Sequence, residues 1–211
     1  MKLPLPLLAL FFLSTNFIFS QDVTLKQQKK ETYFDENGSR IGAVGFKIKY
    51  ENYKLYAPSV VSETDSTIVQ KIIFREVYDV LQPVERETVV KILQQLTGKT
   101  IDATKTIVIN FFFFEHVQNQ APCIDHYTSD KKYLKYFDKH KSSIQFFLTE
   151  KGYSYNEANI FQDSKGTIRN LLFKDRMECG NYIIIKPNGQ YYKRVGEYRQ
   201  DEIPDRIKAD W

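Results

Sequence analysis

Glycine and proline are scarce, nine and seven in 211 residues, which excludes a collagen-like or linker-dominated chain. No charge of one sign dominates. Thirty Lys and Arg stand against 26 Asp and Glu, a formal +4, with the signs mixed along the chain. A nucleic-acid-binding protein usually concentrates its basic residues, and this one does not. Beyond the N-terminus no apolar run is long enough to span a bilayer. No P-loop, dinucleotide fingerprint or nucleophile elbow occurs, so the sequence names no cofactor. His116, His126 and His140 lack metal-ligand spacing, and Asp163, Asp175 and Glu178 are scattered carboxylates in a chain that is 27% charged.

What remains is 42% hydrophobic and unusually aromatic, with 16 Phe and 14 Tyr. That suits one globular domain, or one domain with a small annex. The chain opens with Lys2, an apolar stretch from Leu3 to Leu13, and a small residue, Ser20, ahead of polar sequence. This is the pattern of a cleaved export signal, with cleavage expected between Ser20 and Gln21. Ser14, Thr15 and Asn16 cut the apolar stretch short of a membrane anchor. The mature protein is therefore expected to be soluble, in the periplasm or outside the cell. There an even pair of cysteines, Cys123 and Cys179, is a candidate disulfide. It would close a loop of about 56 residues, worth on the order of 4 kcal/mol by chain entropy.

Local patterns predict a β-rich segment over residues 21–80. Asn37-Gly38 signals a tight hairpin, Phe46 to Tyr50 alternates as a strand, residues 57–66 read as loop, and Ile68 to Leu81 reads as strand. Together these predict an N-terminal antiparallel β meander. Its Tyr-Phe-Asp-x-Asn-Gly pattern resembles units of secreted bacterial repeat proteins. Over residues 81–211 helix and strand alternate. A helix starts at Pro83 and ends at Gly98. The run Thr106 to Phe114, continuously apolar but for Asn110, predicts a central strand buried on both faces. A helix follows over Asp130 to His140, with Lys131, Lys132, Lys135 and Lys139 on a solvated face and Lys141 just beyond. Then come a strand over Ile144 to Leu148, a helix over Ser164 to Phe173, a hairpin over Asn181 to Val195 and a terminal helix over Glu202 to Ala209. Such alternation predicts an α/β layer structure.

From about residue 84 the order and the local sequences resemble a divergent secreted bacterial thioredoxin-like domain. The matching stretches are Val108-Ile109-Asn110-Phe111-Phe112, then Tyr182 to Gly189 with the return strand to Gly196. The resemblance implies a thioredoxin-like sheet flanked by helices. It departs from the family in chemistry. The Cys-x-x-Cys motif is missing, and Cys123-Ile124-Asp125-His126 stands in its place after a longer loop. Gly180 occupies the position of the family's cis-proline, preceded by Cys179. In this fold the residue before that proline packs against the redox motif, so the resemblance implies that Cys123 and Cys179 are neighbours.

Three readings of the chemistry follow. A structural disulfide in a noncatalytic binding module leaves the partner to be a protein, met by Tyr127, Tyr153, Tyr155, Tyr191, Tyr192 and Tyr198. A thiol-disulfide oxidoreductase would use Cys123 as nucleophile and Cys179 as resolving cysteine, with protonated His126 supporting the thiolate. A peroxiredoxin is disfavoured, because His116 and Gln120 stand where that family places its proline and hydroxyl. Without a close Cys-x-x-Cys pair the structural bridge is the expected state.

Overall fold

The computed structural model describes residues 29–114, 122–177 and 179–211. The export signal read over residues 1–20, together with His116, Gln120 and Glu178, lies outside the described residues. The elements are β1 (Lys30–Phe34), β2 (Arg40–Ile41), α1 (Ala43–Glu51), β3 (Tyr56–Glu63), β4 (Thr67–Phe74), β5 (Glu76–Val80), α2 (Pro83–Thr97), β6 (Thr106–Phe112), α3 (Cys123–Thr128), α4 (Lys131–Lys139), β7 (Ser143–Thr149), β8 (Ile160–Gln162), α5 (Thr167–Leu172), β9 (Gly180–Ile185), β10 (Gln190–Arg194) and α6 (Ile203–Lys208), the last preceded by a 3-10 turn.

Six strands form the larger sheet, in the order β5-β10-β9-β6-β7-β8. β6 lies inside it, parallel to β7 on one side and antiparallel to β9 on the other. Side chains alternate across a strand, so β6 feeds two cores. Ile107, Ile109 and Phe111 face Val89 and Leu93 of α2 and Ile168 and Leu172 of α5. Val108 and Phe112 face Ile124 and Tyr127 of α3, Tyr133 and Phe137 of α4, and Ile203 of α6. A sheet between two helical layers, with a parallel pair at its heart and an antiparallel hairpin beside it, is the thioredoxin-like arrangement that the sequence implied. The burial of β6 on both faces is why its sequence is apolar but for Thr106 and Asn110.

The helix ends follow the sequence. Pro83 opens α2, where Glu85 Oε2 accepts the Gln82 N–H at 2.8 Å, and Gly98 closes it at φ +68°. Asp130 caps α4 by accepting the Lys132 and Tyr133 amides. A short strand that the sequence reading lacks, β8, pairs in parallel with the end of β7.

The N-terminal region departs further. Its four strands run β2-β1-β4-β3; the β1–β2 and β3–β4 pairs are antiparallel, whereas β1 and β4 are parallel. Residues Phe46 to Tyr50, read as a strand, belong to α1. β4 already occupies the place beside β1, and only Phe46 of that run is buried, its ring tilted against that of Tyr33 at 4.5 Å. Residues 57–66, read as loop, mostly form β3, an edge strand whose Ala57 and Ser59 face inward. Its polar exposed residues and Pro58 hid it, and an edge position tolerates both. The hairpin at Asn37-Gly38 is present, but only Gly38 takes positive φ, at +82°. The Asp35 N–H bonds the Ser39 carbonyl across a three-residue loop, while the Asp35 side chain holds the Asn37 and Ser39 amides.

The two sheets meet through Arg75, whose guanidinium donates to the carbonyls of Tyr56 and Val195. β5, just after it in sequence, is an edge of the larger sheet, paired with β10.

Candidate functional site

β6 ends in Phe112, and α3 opens with Cys123. The exit of the strand is held tightly. Glu150 accepts the Phe114 N–H at 2.7 Å, and Arg176 donates to the Phe114 carbonyl while lying over the ring of Phe113. The Cys123 sulfur is joined to that of Cys179, with the α-carbons 5.5 Å apart, a usual span for a disulfide.

Cys179 has φ +67°, a left-handed conformation that is rare outside glycine and costs on the order of 1 kcal/mol. The neighbouring Asn181, fully buried, holds it there. The Asn181 side-chain amide donates to the carbonyls of Met177, Cys179 and Phe111, and its oxygen accepts the Gly196 N–H at 3.0 Å. Gly180 between them lies against aromatic rings. A β-carbon there would sit 2.6 Å from Tyr198 Cε1 and 3.0 Å from the Tyr127 ring. That contact explains the glycine: a β-carbon here would force the tyrosine rings to shift.

Around the bridge the tyrosines pack as one body. Tyr127 and Tyr198 stack at 4.5 Å, and the Tyr127 hydroxyl donates to the Tyr198 carbonyl and accepts its N–H. Asn110, the single polar break in β6, sits at the centre. Tyr198 donates to its oxygen at 2.7 Å, and its amide donates to Tyr133 Oη at 2.9 Å and to the Phe146 carbonyl at 3.2 Å. Burial pushes the Tyr133 and Tyr198 hydroxyls well above the usual phenol range. They remain protonated donors and acceptors at any physiological pH.

Of the residues singled out from sequence, Cys123 and Cys179 are brought together. His126 is exposed on the last turn of α3, edge-on to Tyr127 at 5.6 Å. The tyrosines expected to face a partner do not. Tyr127, Tyr153, Tyr192 and Tyr198 are buried, and Tyr155 and Tyr191 are half-buried. The rings complete the cores instead, Tyr191 beside Ile107 and Ile109 and the others beside Val108 and Phe112. Asp163 is buried and accepts the Thr167 and Arg169 amides, capping α5. His140 stacks on Tyr136. No three His, Cys, Asp or Glu side chains gather into a metal-binding group among the described residues.

Beneath α3 lies a hollow of about 390 Å³, lined in part by Asp125, Thr128, Leu134, Phe147 and Tyr155. The Tyr155 hydroxyl donates to Asp125 Oδ1. Desolvation first, and then this bond, push its pKa up to about 12. Asn110 and Asn181 were not anticipated as site residues, and Tyr155 was expected only as a tyrosine facing a partner. Asn110 and Asn181, each polar within an apolar strand, carried the one legible signal.

No protein-family model matches the chain, and a search of curated proteins finds no match. Among solved structures, it is similar to a secreted Mycobacterium tuberculosis disulfide oxidoreductase homologous to Escherichia coli DsbE, at 13% identity and TM-score 0.37 over 55% of this chain and 85% of that one. It is similar also to a DsbF homologue from Corynebacterium diphtheriae, at 14% identity and TM-score 0.37 over 50% and 71%. The Sco protein BsSco, described with a disulfide switch, gives 13% identity and TM-score 0.32 over 73% and 91%. Such scores carry no weight for the chemistry. The strand order and the two helical layers define the fold.

Proposed function

We propose that this chain is an exported thioredoxin-like scaffold whose disulfide is a permanent clamp, and that it acts by binding rather than by turnover. The observation that carries this reading is the seating of Cys179. Its carbonyl is bonded by Asn181, the next residue is pressed between two tyrosine rings, and its sulfur crosslinks the start of α3 to the strand pair at the centre of the sheet. Each cysteine has only the other, because the sequence holds no third. Export is supported by the charged, apolar and small-residue order of residues 1–20, and no described helix is long and apolar enough to cross a membrane.

A second reading is favoured by one feature. Cys123 opens a helix with exposed His126 one turn on, an arrangement that stabilises a thiolate when the imidazole is protonated. The protein would then exchange disulfides with Cys123 as nucleophile and Cys179 as resolving thiol. Insulin reduction separates the two. The clamp predicts turnover no faster than the dithiothreitol background, equal in wild type and Cys123→Ser; turnover abolished by Cys123→Ser establishes the oxidoreductase.

A further inference from the structure

The tyrosines of the second core are not a docking surface, so a binding module needs another face. β7 offers one. Over Ser143 to Thr149 it pairs with β6 along its whole length, but on its other side β8 covers only Phe147 to Thr149. Among the described residues no strand pairs with Ser143, Ile144, Gln145 and Phe146 on that side, a stretch roughly 13 Å long at the usual strand rise.

The direction of its hydrogen-bonding groups follows from alternation. The carbonyls of Ser142 and Phe146 are taken on the β6 side, by the Thr106 amide and the Asn110 side chain. That of Thr149 is taken on the β8 side, by Asp163. The residues of that parity, Ser143 and Gln145, therefore turn their backbone groups outward. The Ser143 N–H is bonded to the His140 carbonyl, which leaves the Gln145 N–H and the Ser143 and Gln145 carbonyls for an added strand.

This edge floors a groove of about 410 Å³, with Leu134, Ile144 and Phe161 as apolar wall and Lys99, Lys105 and Lys141 around it. Asp138 is the one carboxylate in the lining. None of the three lysines makes an ion pair among the described residues. Lys99 instead lies near the rings of Phe146 and Phe161, at 5.8 and 5.9 Å. The groove shares Leu134 and Asn159 with the hollow beneath α3, so the two adjoin.

We propose that this edge is a peptide-docking site, where an extended acidic segment of another protein adds as a strand beside Ser143–Phe146 with its carboxylates among Lys99, Lys105 and Lys141. Backbone pairing supplies a sequence-independent part of the affinity, and the lysines select the charge. A strand edge distinguishes this ligand from a nucleic acid, which the lysines alone would not. The inference rests on the binding-module reading and names its partner class.

The test uses the full chain with its disulfide intact and a fluorescent synthetic peptide of alternating Glu and Thr, read by anisotropy. A counterpart with Lys in place of Glu and a single-stranded oligonucleotide serve as competitors. Saturable binding of the acidic peptide is expected, weakened about tenfold or more by Lys105→Glu with Lys141→Glu, and hydrogen exchange at the Gln145 amide should slow by about tenfold on binding. Gln145→Pro, which removes that N–H, should abolish binding. Should Pro unfold the chain, the lysine reversals and the exchange measurement still decide. The proposal is overturned if the acidic peptide does not bind, if the lysine peptide or the oligonucleotide competes equally, if the reversals change nothing, or if protection appears away from β7. Those outcomes leave the disulfide reading intact, whereas that reading fails by a separate readout, insulin turnover abolished by Cys123→Ser.

Discussion

Gly180 lies so close to Tyr198 that a β-carbon on it would fall 2.6 Å from the ring carbon Cε1. A ring inside a packed core does not yield as the tip of a lysine would. Gly180→Ala is therefore expected to destabilise the protein by about 1–3 kcal/mol, and the bulkier Gly180→Pro by more. Urea denaturation measures both. A stability unchanged by Gly180→Ala would show that the tyrosine pair is not packed as described.

Asn110 is the polar centre of the same cluster. Asn110→Leu preserves volume but leaves the buried hydroxyls of Tyr133 and Tyr198 without their bonds to it. The expected loss is about 2–4 kcal/mol, against about 1–2 kcal/mol for Tyr198→Phe, which removes one partner only. The same denaturation series reads both, and the order matters more than the values.

At Cys179 the crosslink and the backbone contribute separately. Removing the bridge with Cys123→Ala and Cys179→Ala is expected to cost up to about 4 kcal/mol. The pair Cys123→Ala and Cys179→Gly should recover about 1 kcal/mol of that, because glycine accepts φ +67° without strain. Equal stabilities would mean that the left-handed turn relaxes once the sulfurs are gone.

The extent to which the sequence displayed this site depended on the kind of signal. The buried strand around Val108 and Ile109 is apolar but for Thr106 and Asn110 because both faces are covered, and that is visible in one dimension. Capped helices such as α2 declare their ends through Pro83 and Gly98. The meeting of Cys123 with Cys179 came only through the resemblance, since no spacing rule joins residues so far apart. Phe46 to Tyr50 misled, because five alternating residues fit one helical turn as well as a strand, and the choice was made by β4 pairing with β1. The tyrosines misled in the other direction. Their half-polar rings suit interfaces, yet Tyr127 and Tyr198 find their hydrogen bonds inside, with each other and with Asn110.

The buried phenols also set an alkaline limit. The pKa of Tyr155 is pushed up to about 12 and that of Tyr192 to about 12, both mainly by desolvation, while Tyr133, Tyr182 and Tyr198 lie higher still. The unfolded chain releases these protons near pH 10, so their contribution is fully present below that pH and is lost as pH rises from about 10 through about 12. Spectrophotometric titration should show the buried Tyr133, Tyr182 and Tyr198 ionising only together with unfolding, and stability should begin to fall above pH 10. Free ionisation of all 14 tyrosines in the folded protein at pH 11 would contradict the packing.

The reduction potential of the Cys123–Cys179 bridge, measured by equilibration in defined thiol buffers with alkylation and mass counting, tests the clamp most directly. The account predicts a value below about −300 mV and no alkylated thiol in protein taken from outside the cytoplasm. A potential between about −270 and −120 mV, or two free thiols in the native compartment, would contradict it.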